Sequence, residues 1–220
     1  MSPQAEEKVV FFGCLVVAII LHEISHGVVA LWFGDDTAKR AHRLTLNPIR
    51  HVDPFGTIIL PAMLTIAGFG AFGYAKPVPV DPSKLREPRR DMLFVGLAGP
   101  FTNFLLMLAA GATLHVLLAR WLHAHPFAAV GAWADLPLVI QIAWFFALAN
   151  LLLGVFNLLP IPPLDGSSLI ERVLPRRWLP GWYRFRPYGF AILLLLLLST
   201  NAFGVIFAPF QRALARAVWP

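Results

Sequence analysis

Charge and cysteine are both scarce in this chain. Of 220 residues only 14% are charged, the acids number 12, and there is a single cysteine, Cys14. One thiol excludes an internal disulfide and any cysteine-rich zinc site, and Cys14 reads as a small apolar residue of a first helix. The opening MSPQAEEKVV holds two acids and one lysine, so it lacks the basic region of a cleaved signal, and the apolar run behind it is expected to be retained. What fills the chain instead is apolar: 58% hydrophobic residues and a mean hydropathy of +0.68. A soluble domain of this length could not hide so much apolar surface, so the class is an integral membrane protein. The formal charge of +6 does not point to nucleic acid. Lysines and arginines gather between the apolar runs, which is the positive-inside pattern of a membrane protein.

In order along the chain, a first span is expected from about Lys8 to Gly34. It is followed by a loop bearing Lys39, Arg40, Arg43 and Arg50, which reads as cytoplasmic. The stretch Phe55–Tyr74 is apolar and glycine-rich, and its exit carries Lys76, Lys84, Arg86, Arg89 and Arg90. A single crossing would strand one of these basic flanks outside, so a re-entrant or hairpin segment is predicted. Spans follow at Asp91–Leu122 and Leu136–Asn157, joined by a loop with one arginine that suits the outer side. The second is interrupted by LLPIPPLDG, where three prolines within four residues, Pro160 to Pro163, cannot continue a helix. After a short helical SSLIERVL and a basic RRWLPGWYRFRP, a run at Tyr188–Phe210 is long enough to cross, leaving the tail outside. The expected architecture is an all-α polytopic membrane protein of about four spanning helices plus the re-entrant segment. It forms a single membrane-embedded domain over residues 1–220, with no PDZ or other soluble module and no repeats.

The first span contains His22-Glu23-Ile24-Ser25-His26. Four residues apart on a helix, His22 and His26 project from one face and can grip one metal ion, while Glu23 can reach a water bound to it. This is the H-E-x-x-H pattern of zinc peptidases. Ionisable side chains at membrane depth are costly and need a reason, which argues against a chance match or polar glue between helices.

Catalytic zinc usually takes three protein ligands and keeps a position for water. Most acids are disqualified by exposure or by lying on the opposite side. Asp165, Glu171, Asp53 and His51 remain. Asp165 stands in the broken segment, followed by Gly166, which allows tight backbone approach, and is favoured. Glu171 suits an ion pair in the basic exit, Asp53-Pro54 a turn, and His51 a structural role in its loop. His115, His123 and His125 fall near the opposite end.

With HEISH at 22–26, GPFTN at 99–103 and FNLLPIPPLDG at 156–166, in that order on separate spans, the chain resembles the site-2 protease family of intramembrane zinc metalloproteases. NPIRHVDPFG at 47–56 and GYAKPVPVDP at 73–82 resemble one subgroup. The resemblance implies that His22, His26 and Asp165 bind one Zn2+ and that Glu23 activates the water. It also implies that Asn103 helps polarise the scissile carbonyl or holds the substrate, with Asn157, Pro160 and Gly166 along the same cavity. Implied substrates are single-pass membrane proteins such as anti-sigma factors, cut by regulated intramembrane proteolysis. The implied setting is the lipid of a prokaryotic cell membrane, with the site towards the cytoplasm. Two other classes fit parts of the pattern. A metal transporter would need further ligand sets along a pore, and an inactive membrane scaffold would leave Glu23 without a task. A zinc protease of the prenyl-protein type would need a downstream glutamate ligand, for which Glu171 is a poor candidate.

Overall fold

A computed structural model describes residues 3–66, 73–126, 135–200 and 202–219. The described residues form helices and irregular segments without a strand. The helices are α1 (Pro3–Trp32), α2 (Thr37–Arg40), α3 (Leu60–Ile66), α4 (Pro88–Ala124), α5 (Leu138–Asn157), α6 (Ser167–Val173), α7 (Leu179–Phe185), α8 (Gly189–Ser199) and α9 (Ala202–Val218).

Among the described residues, α1, α4 and α5 are long and apolar enough to cross a membrane, and the three pack on one another. Cys14 and Ala18 of α1 share one buried cluster with Leu114 and Leu118 of α4 and with Ile140 and Trp144 of α5. The shared depth of the early residues of α1 and α5 with the late residues of α4 means that α1 and α5 run the same way and α4 runs against them. Each boundary has a local cause. Gly34 takes φ 106°, open to a residue without a β-carbon, and turns the chain out of α1. Pro88 sits in the first turn of α4, where a missing N–H costs nothing. α5 stops at Asn157 because Pro160, Pro162 and Pro163 follow.

The run expected as a fourth span is two helices. Thr200 is extended at φ −137° and ψ 161°, and the hydroxyls of Ser199 and Thr200 bond back to the carbonyls of Leu195 and Leu196, at 2.6 and 2.7 Å. Such local bonds compete with helix continuation. Eleven residues of α8 reach only about 16 Å, against about 30 Å of hydrocarbon. α9 packs along α4 and α5, and its Val218 joins the core cluster, at the end of the bundle away from the histidine pair of α1.

Between α1 and α4 the described residues form a lid over the other end of the bundle. Asp35 is fully buried and accepts from Thr37 N, from the Thr37 hydroxyl and from Asp81 N, at 2.9, 2.5 and 2.7 Å. Burial alone would lift its carboxyl, but the Thr37 hydroxyl, the two backbone N–H groups and the charge of Lys84 hold it below the usual carboxylate range. The two ends of the expected re-entrant stretch lie side by side. Tyr74 N donates to Gly56 O at 3.0 Å and Lys76 N to His51 O at 2.9 Å. A β-carbon on Gly56 would strike the Tyr74 ring. Both basic flanks are thereby held together; positions 67–72 of that stretch lie outside the described residues.

Candidate metal centre

His22 and His26 are buried on one face of α1. Their Nε2 atoms are 3.1 Å apart. Asp165 comes from the break between α5 and α6, its Oδ2 3.0 Å from His22 Nε2 and 3.4 Å from His26 Nε2. The break is folded tightly enough to place it. Gly166 N donates to Asn157 O at 2.7 Å, and a β-carbon on Gly166 would stand 2.5 Å from Leu159 O. The glycine is there for room, since its φ of −58° suits any residue. On α4, Gly96 leaves space for Ser168 and the Asp165 carbonyl, and Arg89 donates to the carbonyls of Glu171, Arg172 and Leu174, capping α6 onto α4.

The far nitrogen of each ring is engaged. His26 Nδ1 lies 2.6 Å from Val95 O, and His22 Nδ1 lies 2.5 Å from Asn103 Oδ1. Both partners accept, so both Nδ1 atoms carry a proton, and in the neutral rings both Nε2 atoms present lone pairs. Asp165 Oδ2 is buried and has no hydrogen-bond donor. In that neutral state three Lewis bases converge, all within 4.8 Å of one another, with no hydrogen between them to relieve their repulsion. A divalent cation relieves it, and two imidazoles with one carboxylate are a common catalytic zinc set. Gly99 of α4 faces the pair. A β-carbon there would stand 2.5 Å from His26 Nε2 and 2.6 Å from His22 Nε2. The donor set and the space left by Gly99 both fit a bound zinc ion.

The other expected residues sort themselves around this cluster. Glu23, half-buried beside His22, accepts from Val78 N at 2.8 Å, so the extended segment from Gly73 to Val80 crosses α1 at the H-E-x-x-H motif. Asn103 is fully buried, with its oxygen on His22 and its Nδ2 donating to Asn150 Oδ1 at 2.8 Å. Asn157 donates to Leu153 O within its own helix at 3.0 Å, and Pro160 is exposed on the break. The rival ligands lie elsewhere. Asp53 caps Phe55 and Gly56, His51 bonds Thr45 O, and Glu171 pairs with Arg186 at 3.4 Å and Trp182 at 3.1 Å. His115, near Val218, is at the opposite end of the bundle. Asn150 and Val95 escaped the reading of the sequence. Asn150 had a signal, as a polar side chain in the middle of the apolar α5; Val95 contributes only its carbonyl, which no sequence pattern reveals.

Comparison with known proteins agrees with this geometry. The family model described as peptidase family M50 matches residues 10–130 and 119–199. YwhC of Bacillus subtilis strain 168, which carries a zinc-metalloprotease name, is 38% identical over 188 residues, covering 84% of this chain and 78% of that protein. Rip2 of Mycobacterium tuberculosis strain H37Rv, named in the same way, is 34% identical over 199 residues, covering 87% and 69%. The zinc metalloprotease MJ0392 of Methanocaldococcus jannaschii is 25% identical over 170 residues, 77% of this chain and 35% of that protein. No solved structure matches. With apolar helices that can cross a membrane and a match over most of its length, the chain belongs to peptidase family M50, the site-2 protease family, and is an integral membrane zinc metalloprotease.

Proposed function

We propose that this protease hydrolyses peptide bonds in or beside the membrane-spanning helices of membrane-protein substrates, with single-pass regulators such as anti-sigma factors as the substrate class. The observation that carries the reading is the convergence of His22 Nε2, His26 Nε2 and Asp165 Oδ2 with both Nδ1 protons committed elsewhere. These three residues would hold the zinc ion, which when bound supplies an acidified water and a Lewis acid for the scissile carbonyl.

The chain's own groups do the rest. Glu23 takes the proton of the attacking water and hands it to the leaving amine. The Val78 N–H on its Oε2 steadies the carboxylate in that role. The broken segment from Leu158 to Gly166, with Asn157 at its head and Pro160 on its surface, is the route by which water enters, because irregular backbone at membrane depth is tolerated where it lines a wet cavity. A substrate helix has its carbonyls tied up in internal hydrogen bonds, so residues that loosen the helix near the cut speed cleavage. The setting is the cell membrane of a prokaryote with the site towards the cytoplasm. Arg40, Arg43, Arg50 and Lys84 lie between α1 and α4, and Arg89 and Arg90 in the first turn of α4, all at the metal-bearing end, and the relatives named above are bacterial and archaeal.

The test is cleavage of a single-pass substrate in proteoliposomes together with zinc content. Glu23→Gln is expected to keep zinc and lose cleavage, and His22→Ala to lose both. Full-rate cleavage by the Gln variant would remove Glu23 as the base. A transporter would pass zinc or cobalt across vesicle walls. The described residues hold one metal-binding group and not a series, which favours the protease.

A further inference from the structure

The two histidines are oriented by different means. His26 Nδ1 meets a backbone carbonyl, Val95 O, directly. A carbonyl only accepts, so the tautomer of His26 is fixed by the fold of α4 itself. His22 Nδ1 meets a side-chain amide, Asn103, and an amide can present either its oxygen or its NH2. Something must decide which.

That decision is traceable. Asn150 Nδ2 donates to Phe146 O, one turn back in α5, at 2.8 Å. Because that carbonyl can only accept, the NH2 of Asn150 faces it and the oxygen faces away. Asn150 Oδ1 then accepts from Asn103 Nδ2 at 2.8 Å, which leaves Asn103 Oδ1 for His22. Both asparagines are fully buried, so no water can substitute for a lost partner. We infer that Asn150, acting through Asn103, is a positioning residue of the zinc site: it sets the proton of His22 on Nδ1 and so keeps Nε2 bare for the metal. The inference rests on the zinc-site reading above. Without Asn150 the Asn103 amide is free to turn its NH2 to His22. The His22 proton then moves to Nε2, pointing it at His26 and Asp165, where a metal must bind. Partners behind a metal-binding histidine commonly change metal affinity by about 10- to 100-fold.

A bland alternative is that the amide pair merely ties α4 to α5. The two differ in what they do to the metal. In the full-length protein, Co2+ is titrated into metal-stripped enzyme and followed by its visible absorption, alongside thermal unfolding. Asn150→Leu is expected to weaken Co2+ binding by about 10- to 100-fold, and Asn150→Asp, which keeps an acceptor for Asn103 Nδ2, to restore most of it. In the Asn103→Ala background Asn150→Leu is expected to add no further loss. Co2+ affinity within threefold of wild type in Asn150→Leu, with only a lower unfolding temperature, would overturn the inference. If Asn150→Leu does not fold, 15N NMR of histidine-labelled wild type decides, using the resonance missing from His22→Gln. Nδ1–H with metal on Nε2 supports the relay, and metal on Nδ1 overturns it. Failure of wild type itself to bind Co2+ would instead sink the zinc-site reading.

Discussion

Gly99→Ala adds one methyl group and should empty the metal centre. In an ordinary helix interior the change is favourable by about 0.5–1 kcal/mol, because glycine loses more freedom on folding. Here the new β-carbon would lie 2.5 Å from His26 Nε2 and 2.6 Å from His22 Nε2, where ordinary contact begins at 3.4 Å. The rings or α4 must therefore give way by roughly 0.9 Å, several times the ±0.2 Å within which metal–ligand distances are held. The rings have little freedom to move, since His22 is tied to Asn103 and His26 to Val95. A loss of at least about 100-fold in zinc affinity is expected, about 2.8 kcal/mol at 1.4 per tenfold, with cleavage lost alongside. The unfolding temperature of the metal-free protein should fall modestly, because the clash with the rings is there without the ion and overpacking costs about 1–3 kcal/mol against the gain in helix propensity. Gly111→Ala on the same helix is the control. Its β-carbon would sit 3.5 Å from Val218 and 3.7 Å from Leu214, so zinc content and activity should match wild type. Competition against a chelator of known affinity measures the binding. A Gly99→Ala protein holding zinc within threefold of wild type would refute the claim that the space in front of Gly99 belongs to the metal.

Gly166→Ala should also cost zinc, by a different path. Its β-carbon would run into Leu158 O and Leu159 O, so the break must open and carry Asp165 away; zinc content measured with that of Glu23→Gln separates this from a purely catalytic defect. Arg89→Leu removes the donor that caps Glu171, Arg172 and Leu174. A loss of about 1.5–3 kcal/mol is expected for bonds from a charged group, read as a lower unfolding temperature and faster hydrogen exchange in α6. Asp35→Ala strands Thr37 N and Asp81 N, and should destabilise the lid by about 1–3 kcal/mol, read as faster proteolytic nicking between α1 and α4. Because the Asp35 carboxyl is held below its ordinary range in the folded chain, its contribution is present above that range and lost as the pH falls through the lower, folded-state value. The stability gap between wild type and Asp35→Asn should accordingly narrow in acid.

The candidate metal cluster was legible because chemistry leaves few choices. A buried H-E-x-x-H in an apolar run is hard to explain otherwise, and one acid, Asp165, combined the right depth with a glycine behind it. The membrane class followed from composition, and the end of α5 from the prolines that follow it. The last apolar run was misread because hydropathy does not register where a helix turns. Ser199 and Thr200 end α8 by bonding back to Leu195 and Leu196, while the surrounding leucines suggest one continuous span. Asn103 was placed in the right motif, but its neighbours could not be read, since its partner Asn150 lies outside every motif and 47 residues away. Val95 is invisible for a simpler reason, as any residue supplies a carbonyl.

The two histidines and the aspartate are made at very different times. Translation delivers α1 early, so His22 and His26 wait in the nascent chain without their third companion, and the tether that fixes His22 arrives only with α4 and α5. Asp165 follows, and Arg89 can hold α6 down only after that segment has left the ribosome. A young copy of this chain therefore cannot assemble the cluster until most of its own length is in place.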